Sequence, residues 1–444
     1  MWQSQDPETL WYTSTLENDF VVATLSPAAL KHNKNFPFNF LVNVMDGGFF
    51  GLGLGFASFS TVLPLFVSNL TDSAILIGLI PALHVVGWQL PQIFTARKVA
   101  QQKRYKPMVM FFTTQERLPF LGLAVIAWFI PGIGPKIALI LTFTMLIWQG
   151  FGGGFAATAW QSMIGKIIPR DRWGLFFGCQ SAASNLLASA GAVIAGLVLE
   201  ANESTKGFSI CFLLAVGAFC ISYVALGLTR EEETLPMSGE IERNIFWKDI
   251  RSILSRDTNF KWFVVVRILA QLGTVGFAFY TVYVVRFYGV NEVTAGILTG
   301  VLLIVETIFN PIMGWLADRW SRRGVMALGM VSAAVSAMVA WWAPAVGWFY
   351  LAYTLAGISY VAIWTIALAM TLEFGKDHEK PAYIGLANTL VAPTAFIIPL
   401  FAGWLADNIG YQATFLATSI GAIATVIVLS FVFHDPRKSV LIEG

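Results

Sequence analysis

Gly314-Trp-Leu-Ala-Asp318-Arg319-Trp-Ser-Arg322-Arg323-Gly324 is the stretch whose reading decides the fold. It closes one apolar run, near 293–317, and opens the next, near 325–343. Arginines at such a boundary would anchor a membrane span by themselves, but they give no reason for an acid among them. Gly314 permits close helix contact, and Asp318 at a helix end can form charge-assisted hydrogen bonds with arginines and with the end of a neighbouring helix. Gly-Trp-Leu-Ala-Asp returns at 403–407, again ending the middle run of a group of three. The two runs point in opposite directions, so the recurrence reads as an inverted repeat, a common construction among transporters.

Outward from that stretch, apolar runs fall near 38–67, 74–97, 107–130, 137–160, 174–199 and 208–229, then near 260–286, 293–317, 325–343, 348–372, 382–405 and 411–433. Each is long enough to cross a bilayer as a helix. The chain has 444 residues, 56% hydrophobic and 12% charged, against about 25% charged in soluble domains. The expected fold is an all-α membrane protein with twelve transmembrane helices in two six-helix pseudo-symmetric halves. Matches across the halves support it: Lys103-Arg104 with Arg322-Arg323, Gly165-Lys166 with Gly375-Lys376, and Trp148 with Trp364. The division expected is a cytoplasmic tail at 1–37, halves at 38–229 and 260–434, a cytoplasmic linker at 230–259 and a tail at 435–444. Ile241, Ile245, Phe246, Ile250, Ile253 and Leu254 recur at helical spacing in the linker, which reads as an interfacial helix.

Charge orients the chain. With both termini inside, 23 of the 28 Lys and Arg lie in inside segments, and only Lys136, Lys206 and Arg286 lie outside. The positive-inside rule therefore places both termini in the cytoplasm of a multi-pass plasma (inner) membrane protein. Residues 1–35 lack the basic start and apolar core of a cleaved signal.

Several function classes are excluded on composition. Cys179, Cys211 and Cys220 lie inside apolar runs and form no disulfide framework. His32, His84, His378 and His434 have no metal-ligand spacing, so neither a metal nor a catalytic set is expected. Gly150-Phe-Gly-Gly-Gly154 lacks the Gly-Lys-Ser/Thr ending of a phosphate loop, and no basic–aromatic patch suits nucleic acid. No cofactor is implied, and the chain does not read as an enzyme.

Two six-span halves, a central loop and the Gly314–Gly324 run together resemble the major facilitator superfamily, over about residues 38–434. The resemblance implies alternating access, with Gly314, Asp318, Arg319, Arg322 and Arg323 as a gating motif. It also implies a central cavity lined by spans one, four, seven and ten, which places Asp46, Trp148, Gln149, Arg267, Gln271, Tyr360 and Trp364 near substrate, with Asn388 at its edge. The first-half copy of the motif departs from the family: Thr95 stands at the glycine and Val99 at the acid. Ser189-Ala-Gly191-Ala-Val-Ile-Ala-Gly196 in span five lacks the proline of the family's antiporter signature.

Ionisable groups inside spans are costly and mark function. At 1.5 Å rise per residue, Asp46, Glu116, Arg117, Arg267 and Glu306 lie about 10–17 Å from the inner boundary, and His84 lies near mid-depth. Similar depths predict an Asp46–Arg117 pair and an Arg267–Glu306 pair. Asp46, Glu306 and Glu116 are the proton-coupling candidates, with Arg117, Arg267 and His84 as charge partners. The expected function is a secondary transporter, with proton-coupled export of small amphipathic organic compounds. The alternatives are proton-coupled uptake of a sugar or organic acid, and a transport-inactive membrane sensor. The expected partners are a small-molecule substrate, protons and the lipid bilayer, with the protein as a monomer.

Overall fold

A computed structural model of the chain describes residues 11–13, 22–24, 27–202, 205–233, 252–290 and 292–436. Twelve long helices dominate it: α1 Pro27–Phe56, α2 Leu76–Ala100, α3 Lys106–Ile133, α4 Pro135–Ile167, α5 Trp173–Ala201, α6 Thr205–Gly227, α7 Thr258–Tyr288, α8 Glu292–Arg319, α9 Arg322–Trp342, α10 Gly347–Thr371, α11 Lys380–Asn408 and α12 Tyr411–Phe431. Eleven segments, one in each of α2–α12, are long and apolar enough to cross a membrane. Their outward faces are apolar; Ile297, Ile304, Ile308, Ile312 and Trp315 of α8, for instance, are about half exposed, as lipid contact requires.

Three features differ from the reading of apolar runs. The first helix begins at Pro27, eleven residues before the first apolar run, because Pro27–Pro37 is polar yet helical. It ends at Phe56, where Ser58, Ser60 and Thr61 interrupt the helix, and a separate short helix follows at Val62–Ser68. Trp11–Thr13 and Val22–Thr24 pair as two antiparallel strands ahead of α1, a small addition to an otherwise helical protein. Most of the expected interfacial helix, residues 234–251, lies outside the described residues.

The halves meet along two seams, α5 against α8 and α2 against α11. Glycine makes the first one tight. A Cβ on Gly314 would stand 2.1 Å from the Gly174 carbonyl oxygen, and one on Gly178 would stand 2.3 Å from that of Asn310, so these helices touch backbone to backbone. Within the first half, Gly47, Gly51 and Gly55 of α1 all face α5, at Gln180, Ser184 and Ala188. Between α3 and α4 the chain turns at Gly134, whose φ of 78° would strain any residue with a β-carbon. The start of α1, the end of α6, the start of α7 and the end of α12 share one face: Arg230 N–H bonds Asn39, and His434 N–H bonds Asn259. This face carries the basic clusters and is called the basic face below.

Candidate functional site

The six helices of the first half, with Leu368 of α10, enclose a cavity of about 270 Å³. Asp46 enters it from α1, Trp88 from α2, Thr113, Glu116 and Arg117 from α3, Gly153 and Trp160 from α4, and Gln180, Ser181, Ser184 and Asn185 from α5. Arg117 is the hub. Its Nη2 lies 3.2 Å from Asp46 Oδ1 and donates to Ser222 Oγ at 2.8 Å, while Ser222 donates to the same Asp46 oxygen at 2.6 Å. Its Nη1 reaches Thr113 and stands 3.7 Å from Glu116 Oε2, and its guanidinium lies 4.8 Å from the centre of the Phe50 ring. Two carboxyls thus share one cation.

Elsewhere the structure separates groups that depth alone would pair. Arg267 and Glu306 make no ion pair. Arg267 Nη1 donates to Asn388 Oδ1 at 2.7 Å, and Glu306 Oε2 accepts from Asn185 Nδ2 at 2.9 Å across the α5–α8 seam. Neutral amides on neighbouring helices take the places expected for opposite charges. His84 is not a charge partner either: its Nδ1 meets Gln149 Oε1 at 3.2 Å, and its ring stacks on Phe59 at 4.1 Å. The cavity does not include Trp148, Gln149, Arg267, Gln271, Tyr360, Trp364 or Asn388 in its lining. Trp148 Nε1 donates to Gln115, Gln271 accepts from Thr394, and Tyr360 packs edge-on against Phe277. Trp364 sits half exposed in a π-helical turn, Ala362–Ile366. Trp364 apart, these residues face neighbouring helices because each helix turns its side chains by about 100° per residue, which depth along the axis does not record.

On the basic face, Asp318 accepts from the backbone N–H of Gly174 at 2.8 Å and of Leu175 at 2.7 Å, both in the first turn of α5. The carboxylate therefore caps the positive end of a helix in the other half. Arg322 Nη2 bonds Asp318 at 2.8 Å and the Arg170 carbonyl at 2.7 Å, and Nη1 pairs with Glu373. Arg322 and Lys380 flank the Trp173 indole at 5.4 and 5.1 Å. Arg319 lies on Trp315, and Arg323 turns away to the Ser430 carbonyl. The Arg170–Asp377 pair at the rim is exposed and adds little.

The other seam is built differently. Val99 stands where a first-half acid would be, fully buried against the cluster that holds Ile384 of α11. Deeper, Asn388 Nδ2 donates to Gln92 Oε1 of α2 at 2.7 Å, and Gln92 Nε2 donates to the Trp88 carbonyl at 2.9 Å. A chain from the Arg267 guanidinium through the neutral amides of Asn388 and Gln92 bridges the halves here, reinforced by Ile93 N–H donating to Thr389 Oγ1 at 3.3 Å. Asn388→Leu leaves a buried acceptor and a buried donor unpaired, at a cost of about 1–3 kcal/mol. The cross-linking rate of a cysteine pair placed at the basic ends of α2 and α11 should fall at least about fivefold. An unchanged rate would show that the seam is held by apolar packing alone.

Gln92, Ser222, Thr113, Asn185, Trp88, Trp160, Trp173 and Glu373 were not singled out by sequence. Ser222 and Thr113 are ordinary small polar residues inside apolar helices, and nothing in their local sequence marks them. Gln92 carries a signal in retrospect: it is an uncharged amide in α2 at the depth of Asn388 in α11.

Residues 262–443 match the family model described as the Major Facilitator Superfamily. The nitrite extrusion protein of Bacillus subtilis (strain 168) is 21% identical over 295 residues, 64% of this chain and 70% of that protein. The multidrug efflux pump Tap of Mycolicibacterium fortuitum is 23% identical over 299 residues, 65% of this chain and 71% of that protein. Among solved structures, the Escherichia coli fucose:proton symporter superposes with a TM-score of 0.71 at 13% identity, covering 89% of this chain and 99% of its own. A bacterial homologue of the iron transporter ferroportin, in an outward-facing state, gives 0.70 at 11% identity, covering 88% and 98%. The class is thus a multi-pass membrane protein with a transporter fold. That fold is the major facilitator fold, and residues 262–443 carry the superfamily's sequence pattern.

Proposed function

We propose that the protein is a secondary active transporter of the plasma membrane, with both termini in the cytoplasm, that exports small amphipathic organic compounds by alternating access, driven by a proton gradient. The observation that carries this reading is the cavity in which Asp46 and Glu116 share the single cation Arg117 between aromatic walls. Two buried carboxyls on one guanidinium leave room for one exchangeable positive charge. The basic face, on this reading, is cytoplasmic and closed, with the Asp318 latch holding α8 against α5. The alternative, uptake of an organic acid, is supported by Arg267, whose guanidinium has only the neutral Asn388 as a hydrogen-bond partner among the described residues.

Purified protein in proteoliposomes loaded with a pH-sensitive dye, challenged with organic cations, neutral drugs, sugars and carboxylates, tests this. A substrate-evoked proton signal is expected, and Asp46→Asn should reduce it at least about tenfold. Labelled-substrate flux without any proton signal would make the protein a facilitator and return both acids to a structural role.

A further inference from the structure

The two cavity carboxyls are not equivalent. Asp46 is the more tightly held: its Oδ1 takes Arg117 at 3.2 Å and Ser222 at 2.6 Å, while its Oδ2 makes no hydrogen bond among the described residues. Glu116 holds its contacts on Oε2 alone, at 3.5 Å from Thr113 and 3.7 Å from Arg117. Glu116 Oε1 makes no hydrogen bond among the described residues, although the side chain is nine-tenths buried. It opens on the cavity at a place kept clear by a glycine. A Cβ on Gly153 would stand 2.6 Å from Glu116 Oε1 and 3.4 Å from Trp88 Cδ1, so the carboxylate oxygen and the indole flank the same space. Trp160 completes an aromatic wall, and α5 offers the hydroxyls of Ser181 and Ser184. Taken as charges, the site carries one negative in excess and is one positive charge short of neutral. An unpaired carboxylate oxygen beside an indole is a seat for an organic ammonium, which gains a charge-assisted hydrogen bond and a cation–π contact together.

We infer that Glu116, with Trp88 beside it, binds the positive charge of a monocationic, partly aromatic substrate inside the first half, and that a proton and this substrate displace each other from Glu116. Asp46 then serves as the fixed counter-ion of Arg117. Among the described residues, the only other ionisable groups lining the cavity are Asp46 from α1 and Arg117 from α3; α2, α4, α5, α6 and α10 present none there. The inference rests on the transporter reading for the meaning of the ligand, but the site can be tested without transport.

Three probes share one skeleton: 4-phenylbutylamine, 4-phenylbutanol and 4-phenylbutyrate. Titrated calorimetrically into the full chain in detergent at pH 8, the amine should bind at least about tenfold more tightly than the alcohol, and the butyrate should bind most weakly. Glu116→Gln should bring the amine to the level of the alcohol, Glu116→Asp should retain part of the preference, and lowering the pH to 5.5 should weaken the amine for the parent only. Gly153→Ala, which keeps the charge but fills its approach, should weaken the amine selectively and stands in if Glu116→Gln fails to fold. Equal binding of amine and alcohol, or an unchanged preference in both Glu116→Gln and Gly153→Ala, would overturn the inference. Amine binding with no flux in liposomes would sink the transporter reading and leave the cation site standing. Flux of other solutes with the amine ignored would do the reverse.

Discussion

Arg117→Ala should destabilise the first half more than any other single truncation within its cavity. The side chain is 9% exposed and simultaneously serves Asp46, Glu116, Ser222, the Thr113 hydroxyl and carbonyl, and the Phe50 face. Its removal leaves two buried carboxyls without their shared cation, and breaking a buried pair from one side costs about 3–5 kcal/mol. Much of that is the penalty of uncompensated charge rather than the worth of the pair, which gives the prediction a second arm. Asp46→Asn combined with Arg117→Gln removes both charges together and should recover a large part of the loss. Thermal melting of the parent, Asp46→Asn, Arg117→Gln and the double variant in detergent closes the double-mutant cycle, with a coupling of about 1–3 kcal/mol expected. An Arg117→Ala protein that melts with the parent would mean that the guanidinium is not what keeps the two acids in place.

That hub also shows what a sequence can and cannot reveal about such a site. The helices were legible because each apolar run is long enough to be stable only as a membrane span. The start of α1 was not, because Pro27–Pro37 is helical without being apolar. Rise per residue supplies one coordinate, depth, and depth brings Asp46 and Arg117 to the same level, where the structure has them 3.2 Å apart. The same argument put Arg267 level with Glu306, yet the two point to different neighbours. Azimuth around each helix is set by packing: the backbone contacts of Gly174 with Gly314 fix how α5 meets α8, and so aim Glu306 at Asn185. A neutral amide is invisible to a search for charge, so Asn388 and Asn185 could take the two ends of the expected pair, although Asn388 stood out as a polar group at the cavity edge. For the same reason the unequal loading of Asp46 and Glu116, which decides their roles, could come only from coordinates.

The second large effect is expected at the latch. Asp318→Asn keeps the shape of the side chain but replaces one acceptor oxygen by a donor, which then faces a backbone N–H of α5 or the Arg322 guanidinium. Asp318 now accepts from Gly174, Leu175 and Arg322, and Arg322 is 1% exposed, so the lost bonds cannot be replaced by water. Hydrogen bonds to charged groups are worth about 1.5–3 kcal/mol each, and the carboxylate also opposes the positive end of α5. A loss of about 3 kcal/mol shifts the closed-to-open ratio of the basic face by about two powers of ten. Spin labels at the basic ends of α5 and α8 should report a distance distribution moved to the open population, with transport below about a tenth of the parent. The asymmetry of the two seams sharpens the expectation: Val99, at the corresponding place in α2, is buried against apolar neighbours and caps nothing, so Val99→Ala should leave the α5–α8 distribution where it is. If Val99→Ala opened the face as far as Asp318→Asn, the closed state would be held by general packing, and the acid in the Gly314–Gly324 run would have no special part in it.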